Sequence, residues 1–196
     1  NRIGSSKITI LLTGIACTTV FQAGISFISL LDPDLLPSYT AFSVGGFSGV
    51  KLREIWIPAA LILLCLFVAL LLSKRINVLC LGDSMAASLG IRVKSLRMVC
   101  LVLASASAAS VVSYAGLLGF VGLIVPHITR KLVGTNVRWQ LIYAPLVGGI
   151  LVTTSDLFGR IILAPTEIPV GILMSLLGAP FFFILLLKRR YDNANV

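Results

Sequence analysis

Apolar residues fall into six runs along the chain, at 8–31, 55–73, 98–116, 119–133, 141–163 and 168–187, with polar stretches between them. A helix needs about 20 apolar residues to cross the hydrocarbon core of a bilayer, and every run except the fourth is near or above that length. The fourth, "GFVGLIVPHITRKLVG", is short, is broken by Pro126, and starts almost directly after the third. It predicts a tight turn over 115–119 followed by a brief crossing. Between the first and second runs lie Asp32, Pro33, Asp34 and Pro37, then the glycine-rich "FSVGGFSG". The pattern predicts an all-α integral membrane protein, a polytopic helical bundle of about six transmembrane helices forming a single domain over 1–196.

One inter-run segment has a pattern of its own. Residues 77–97 contain "LCLGDSMAASLGIRVKSLR", in which Asp83 and Ser84 stand where a short helix would begin. Both residue types suit an N-terminal cap. Gly90 is placed to stop that helix. Met85, Ala86 and Leu89 recur at three- and four-residue spacing, which makes a small apolar face. Such a helix can lie on a lipid surface or insert into a groove on a soluble partner. Spacing alone does not separate the two.

Composition agrees with the runs. Hydrophobic residues make up 58% and charged residues 12%, with a mean hydropathy of +1.05. That is too little charge to cover a soluble domain. The chain opens at Asn1 without the charged, apolar and cleavage regions of a signal peptide, so the first run is read as a span. The missing start methionine suggests a piece of a longer chain. The formal charge of +9 would suggest nucleic acid in a soluble protein, but no basic helix or aromatic platform accompanies it. The cations instead sort by side. Arg2, Lys7, Lys74, Arg75, Arg92, Lys94, Arg97, Arg130, Lys131, Arg138, Lys188, Arg189 and Arg190 fall on one face, and Lys51, Arg53 and Arg160 on the other. The positive-inside rule makes the first face cytoplasmic, with both ends of the chain there.

Candidate chemistry is sparse. No Walker A pattern, H-E-x-x-H or G-x-S-x-G occurs, and His127 is the only histidine. The chain is therefore not expected to hydrolyse nucleotide or act as a metalloprotease or serine hydrolase. His127 is expected to satisfy a local backbone carbonyl or a helix end; use as an enzyme's catalytic group is the remote alternative. Cys17, Cys65, Cys80 and Cys100 form no C-x-x-C pair and are expected to be small buried hydrophobes. "ASASAAS", "GLLGFVGL" and "VGG" supply the small residues that let membrane helices approach closely. Asp156 and Arg160 stand four apart in the favourable order for an ion pair. Glu167 lies in "APTEIPVG", where Pro165 and Pro169 favour an irregular segment. Asp156 or Glu167 would be the proton site if the chain were a self-contained secondary carrier.

Three stretches carry a resemblance. "INVLCLGDSMAASLGI", "GLLGFVGLIVPHITRKLVG" and "SDLFGRIILAPTEIPVGILMSLLGAPFFFILLL" resemble, in order and spacing, the FecCD-type permeases of ABC importers for ferric siderophores, haem and cobalamin. "AFSVGGFSG" is similar to the family's aromatic-x-x-Gly-small stretch, with Phe42 where tryptophan is commoner. The resemblance implies the C-terminal six spans of a ten-span subunit in the plasma membrane of a bacterium. It implies a coupling loop at 77–97 that sits in a groove of a separate ATP-binding subunit. Its contacts would be Leu81, Asp83, Met85, Ala86 and Leu89, with Gly82 and Gly90 setting the turns. ATP and magnesium would belong to that subunit, and no cofactor to this chain. Phe42, Gly45, Gly46, Glu167, Pro169 and Gly171 become candidates for the translocation pathway, beside the span at 8–31 and the short helix after it. Arg160 would dock an extracytoplasmic substrate-binding protein. A second permease copy or paralogue would complete a dimer in the lipid bilayer. Ferric siderophore is the expected cargo, with haem or cobalamin as alternatives. The region around Ser5 and Ser6, where a cytoplasmic gate would fall, has no clean match.

Overall fold

The structure, a computed structural model, describes residues 7–162 and 165–194. Ser5, Ser6 and the end of the fifth run at 163 lie outside the described residues. Every regular element among those described is helical. The chain divides into two units, residues 1–41 and 42–196.

In the first unit, α1 covers Lys7–Leu31, a 25-residue helix about 37 Å long at 1.5 Å per residue. Its side chains are exposed along almost the whole length, Phe21 and Leu30 among them. An apolar helix with so little buried face belongs in lipid or against a partner. The Asp32 carboxylate accepts the Asp34 N–H at 3.2 Å and caps a 3₁₀ turn over Pro33–Leu35. α2, Leu36–Val44, follows directly, its last three residues from Phe42 belonging to the second unit, and Gln22 Nε2 donates to the Tyr39 hydroxyl at 3.2 Å.

The second unit holds α3 (Leu52–Leu79), α4 (Asp83–Ser88), α5 (Val93–Ala115), α6 (Val121–Val133), α7 (Val137–Ile162) and α8 (Val170–Ala194). α3 packs chiefly on α5 and also on α7, while α6 and α8 pack on α7 and on each other. The core is small, with Val170 and Met174 of α8 and Ile124 of α6 fully or nearly buried beneath Phe120 and Phe181. Most large apolar side chains face outward, as bilayer solvent requires.

Helix ends differ from the apolar runs. α3 begins before the second run and continues through Lys74 and Arg75 to Leu79. The segment 77–97 is thus the last turn of α3, the six-residue α4, two tight turns and the first turn of α5. Hydropathy cannot see this, because long cations extend a helix as well as leucine does while reaching toward water. α1, α3, α5 and α7 are each long and apolar enough to cross a membrane. α6 has 13 residues, about 20 Å against a hydrocarbon core of about 30 Å, and α8 carries the sixth apolar run from Val170 onward.

Three chain segments meet at one end of this unit with no side chain between them. Leu117 N–H donates to the Phe42 carbonyl at 3.0 Å, Gly46 N–H to Ala115 at 2.9 Å, and Gly171 N–H to Gly45 at 3.2 Å. Gly45 and Gly116 adopt φ of +73° and +67°, which glycine tolerates best. A Cβ on Gly116 would stand 2.5 Å from the Phe42 carbonyl oxygen, and one on Gly171 would overlap the carbonyl oxygen of Val44. The close approach ties the end of α2, the end of α5 and the start of α8 together. Phe120 is the one described non-glycine residue at positive φ, 61°; its ring lies where a side chain on Gly178 would be.

Gly171→Ala should therefore cost about 1–3 kcal/mol by overpacking. Gly149→Ala, in α7 with nothing within 4 Å of the added Cβ, should be neutral or slightly stabilising. Thermal unfolding of the full-length protein in detergent compares them, and equal midpoints would remove the steric account.

Candidate functional site

Two sites lie at opposite ends of the second unit. The first is built around α4. Its helix starts after Gly82, at φ 123° and ψ 155°, a conformation only glycine adopts readily. Asp83 was expected to cap this helix. Instead Gly82 is the N-cap, without a side-chain bond, and the Asp83 carboxylate accepts from Arg97 at 2.9 and 3.1 Å. Both side chains are more than half exposed, so the pair contributes at most about 1 kcal/mol. It acts as a brace from α5 to α4. At the other end Gly90 N–H donates to Ala87 and Ile91 N–H to Ala86, each at 3.0 Å, with Gly90 at φ 76°. This is the Schellman arrangement, which closes a helix over a left-handed glycine.

The predicted apolar face of α4 splits in two. Ala86 is fully buried, whereas Leu81, Met85 and Leu89 are 71, 52 and 62% exposed. Ala86 is therefore a packing residue rather than a contact, because on so short a helix one face must seal against the chain. Three apolar side chains remain outward on a stiff turn.

Beside α4 runs a linkage that the sequence pattern does not reveal. Asn77, in the last turn of α3, donates from Nδ2 to Asn136 Oδ1 at 3.1 Å and accepts the Val137 N–H at 2.9 Å. Asn136 Oδ1 also accepts the Arg138 N–H at 3.0 Å. Gln140 Nε2 donates to the Gly134 carbonyl at 2.8 Å. Asn136 caps α7 from its own chain end, and Asn77 caps the same end from α3. A cleft of about 510 Å³ opens here, lined by Asn77, Leu81, Arg130, Asn136 and Gln140 among others.

The second site lies beyond the glycine junction. Arg160 Nε donates to Asp156 at 2.9 Å, and Arg160 Nη1 to Glu167 at 3.2 Å. Glu167 accepts in turn from Ser48 Oγ at 2.7 Å. The expected ion pair is present, and Glu167 extends it across the irregular segment before α8. Ile168 N–H donates to the Gly159 carbonyl at 3.1 Å, which straps that segment to α7. Gly46 approaches Pro169, whose Cβ would lie 3.7 Å from an added side chain. Phe42, Gly45, Gly46, Glu167, Pro169 and Gly171 are thus one connected cluster. Gly45 and Gly171 are spent largely on backbone packing. Of the six, only Gly171 lines the open depression of about 430 Å³ at this place, with Ser43, Val44, Leu117, Ile172 and Ser175 as neighbours.

Other expectations change. His127 makes an edge-to-face contact with Phe181, ring centres 5.6 Å apart, so its ring packs against an aromatic neighbour. Cys65 is buried, but Cys17, on the outward-facing α1, and Cys80, at the C-terminal cap of α3, are exposed. Among the described residues no group of three His, Cys, Asp or Glu side chains is placed to hold a metal ion. Ser48, Asn77 and Asn136 were not foreseen. Asparagine before a helix is a cap signal, but the partners of Ser48 and Asn77 lie 119 and 60 residues away in sequence.

The comparisons with known proteins agree with this architecture. The hemin transport system permease protein of Yersinia pestis is 35% identical over 95% of this chain and 56% of its own length. The iron(3+)-hydroxamate import system permease protein FhuB of Bacillus subtilis is 35% identical over 97% of this chain and 49% of its own. The achromobactin transport system permease protein of Dickeya dadantii is also 35% identical, over 96% and 54%. A solved structure of a metal-chelate type ABC transporter in an inward-facing conformation superposes with a TM-score of 0.84 at 32% identity, covering 94% of this chain and 62% of that one. The chain spans about half the length of the curated relatives it matches. The family description "FecCD transport family" matches residues 1–188, and the chain, a multi-pass membrane protein, belongs to that family.

Proposed function

We propose that the chain forms the C-terminal part of the permease subunit of an ATP-driven importer for iron chelates, ferric siderophores first, with haem or cobalamin as the alternative cargo. The relatives' names, which include hemin, hydroxamate and achromobactin systems, support this range. The observation that carries the coupling part is α4, capped at its end by Gly90, braced by Arg97, and presenting Leu81, Met85 and Leu89 outward. A separate ATP-binding subunit, itself holding ATP and magnesium, receives these side chains in a groove. Its closure then moves α4 with α3 and α5 as one body, and the body moves the helix ends joined at the glycine junction. Stiffness is what the task demands, since a fraying helix would absorb the displacement.

Sidedness follows from charge. The α4 end carries most of the cations and faces the cytoplasm, as do both ends of the chain in the plasma membrane. Arg160 then faces the extracytoplasmic side, where it docks an acidic group of the substrate-binding protein. Asp156 and Glu167 orient it there, and its side chain keeps 43% exposure. The depression beside Gly171 is part of the vestibule, and a second permease copy or paralogue completes the pathway. A proton-coupled carrier reading has less support, because Asp156 and Glu167 both engage Arg160 in a positioning cluster.

Two measurements on the full-length transporter test this. Met85→Ala combined with Leu89→Ala should weaken association with the ATP-binding subunit about tenfold, as loss of an interface anchor does, without lowering the thermal midpoint. Unchanged association would refute α4 as the contact. Arg160→Glu should lower the association rate of the binding protein about tenfold and flatten its salt dependence, whereas Arg160→Lys should retain most of the rate. Identical rates in all three proteins would leave Arg160 with the intramolecular cluster alone.

A further inference from the structure

In the second unit α3 and α7 leave an open groove of about 320 Å³ between them. Phe67, Leu70, Leu71 and Lys74 line its α3 side, and Arg138 and Ile142 its α7 side. The spacing on α3 is i, i+3, i+4 and i+7, and on α7 i and i+4, so each helix offers one continuous stripe. Lys74 lies toward the C-terminal end of α3, and Arg138 in the first turn of α7. Asn77 joins those two helix ends, so both cations stand at the same rim of the groove. From Lys74 back to Phe67 the stripe is apolar for about 10 Å along the axis.

We infer that this groove is a binding site for an anionic phospholipid, its phosphate held between Lys74 and Arg138 and an acyl chain laid over Phe67, Leu70, Leu71 and Ile142. Charge complementarity carries the assignment. Among the described residues neither cation is ion-paired, since the ion pairs present belong to Arg97 and Arg160. A basic rim above an apolar stripe between two membrane helices matches a lipid end to end: anionic head, then hydrocarbon. A soluble anion would use the rim and leave the stripe in water. A zwitterionic lipid would use the stripe and gain little from the rim. The inference rests on the chain's place in a membrane and is independent of what it transports.

The test is native mass spectrometry of the full-length transporter complex, released from nanodiscs of phosphatidylcholine titrated with phosphatidylglycerol. Each cation near an anionic headgroup is worth about a fivefold gain, so the two should favour phosphatidylglycerol by about 25-fold at one site per permease. Lys74→Gln with Arg138→Gln should bring that preference near one, while Lys74→Arg with Arg138→Lys should keep it. Phe67→Gln should weaken both lipids alike. Equal retention of the two lipids by the wild-type complex would overturn the site, and that comparison stands even if a variant fails to assemble. So would an unchanged preference in the double glutamine variant. Displacement of phosphatidylglycerol by millimolar inorganic phosphate would assign the rim to a free anion instead, and would overturn the lipid.

Discussion

Backbone meets backbone where α2, α5 and α8 end or begin, and the rest of the second unit is arranged around that contact. A side chain at Gly171 would overlap the Val44 carbonyl, and one at Gly116 the Phe42 carbonyl. The three N–H groups donated there, from Gly46, Leu117 and Gly171, otherwise lack a helical partner. In hydrocarbon such groups cannot be left to water. The junction therefore meets two requirements together. It satisfies orphaned donors, and it brings the irregular segment before α8 near enough for Glu167 to reach Ser48 and Arg160. Helices that bury so few large side chains have little else to fix their ends.

The opposite end follows a different logic. Around α4 the chain uses capping and hydrogen bonding in place of close approach: Gly82 and Gly90 set the turns, Arg97 braces, and Asn77 ties α3 to the start of α7. Such a network holds a short helix that could not persist alone, since six residues fall far below the length at which an isolated helix is stable. α3, α5 and α7 run between the two ends.

Much of this was legible before any coordinates. Apolar runs of 19 or more residues report themselves by hydropathy, and α1, α3, α5 and α7 each hold all or all but one residue of such a run. Asp156 and Arg160 were legible because four-residue spacing on a helix is a local geometry. Gly90 was legible as a stop for the same reason. What stayed hidden was set by tertiary contacts. Nothing local distinguishes Ala86, which is buried, from Met85, which is not. Asn77 reads as an ordinary polar residue until Val137 is placed beside it. Gly171 was singled out as a pathway residue by resemblance, whereas its packing role depends on where Val44 lies. The extension of α3 past Lys74 and Arg75 was hidden because charge ends an apolar run without ending a helix.

The central claim is that the junction is a fixed joint made of backbone hydrogen bonds. Hydrogen–deuterium exchange of the full-length transporter in nanodiscs reads it directly, at the amides of Gly46, Leu117 and Gly171. The account predicts that all three exchange slowly and together, far behind the exposed Ser48 and Gly49. Exchange at those three amides as fast as at Ser48 and Gly49 would contradict it.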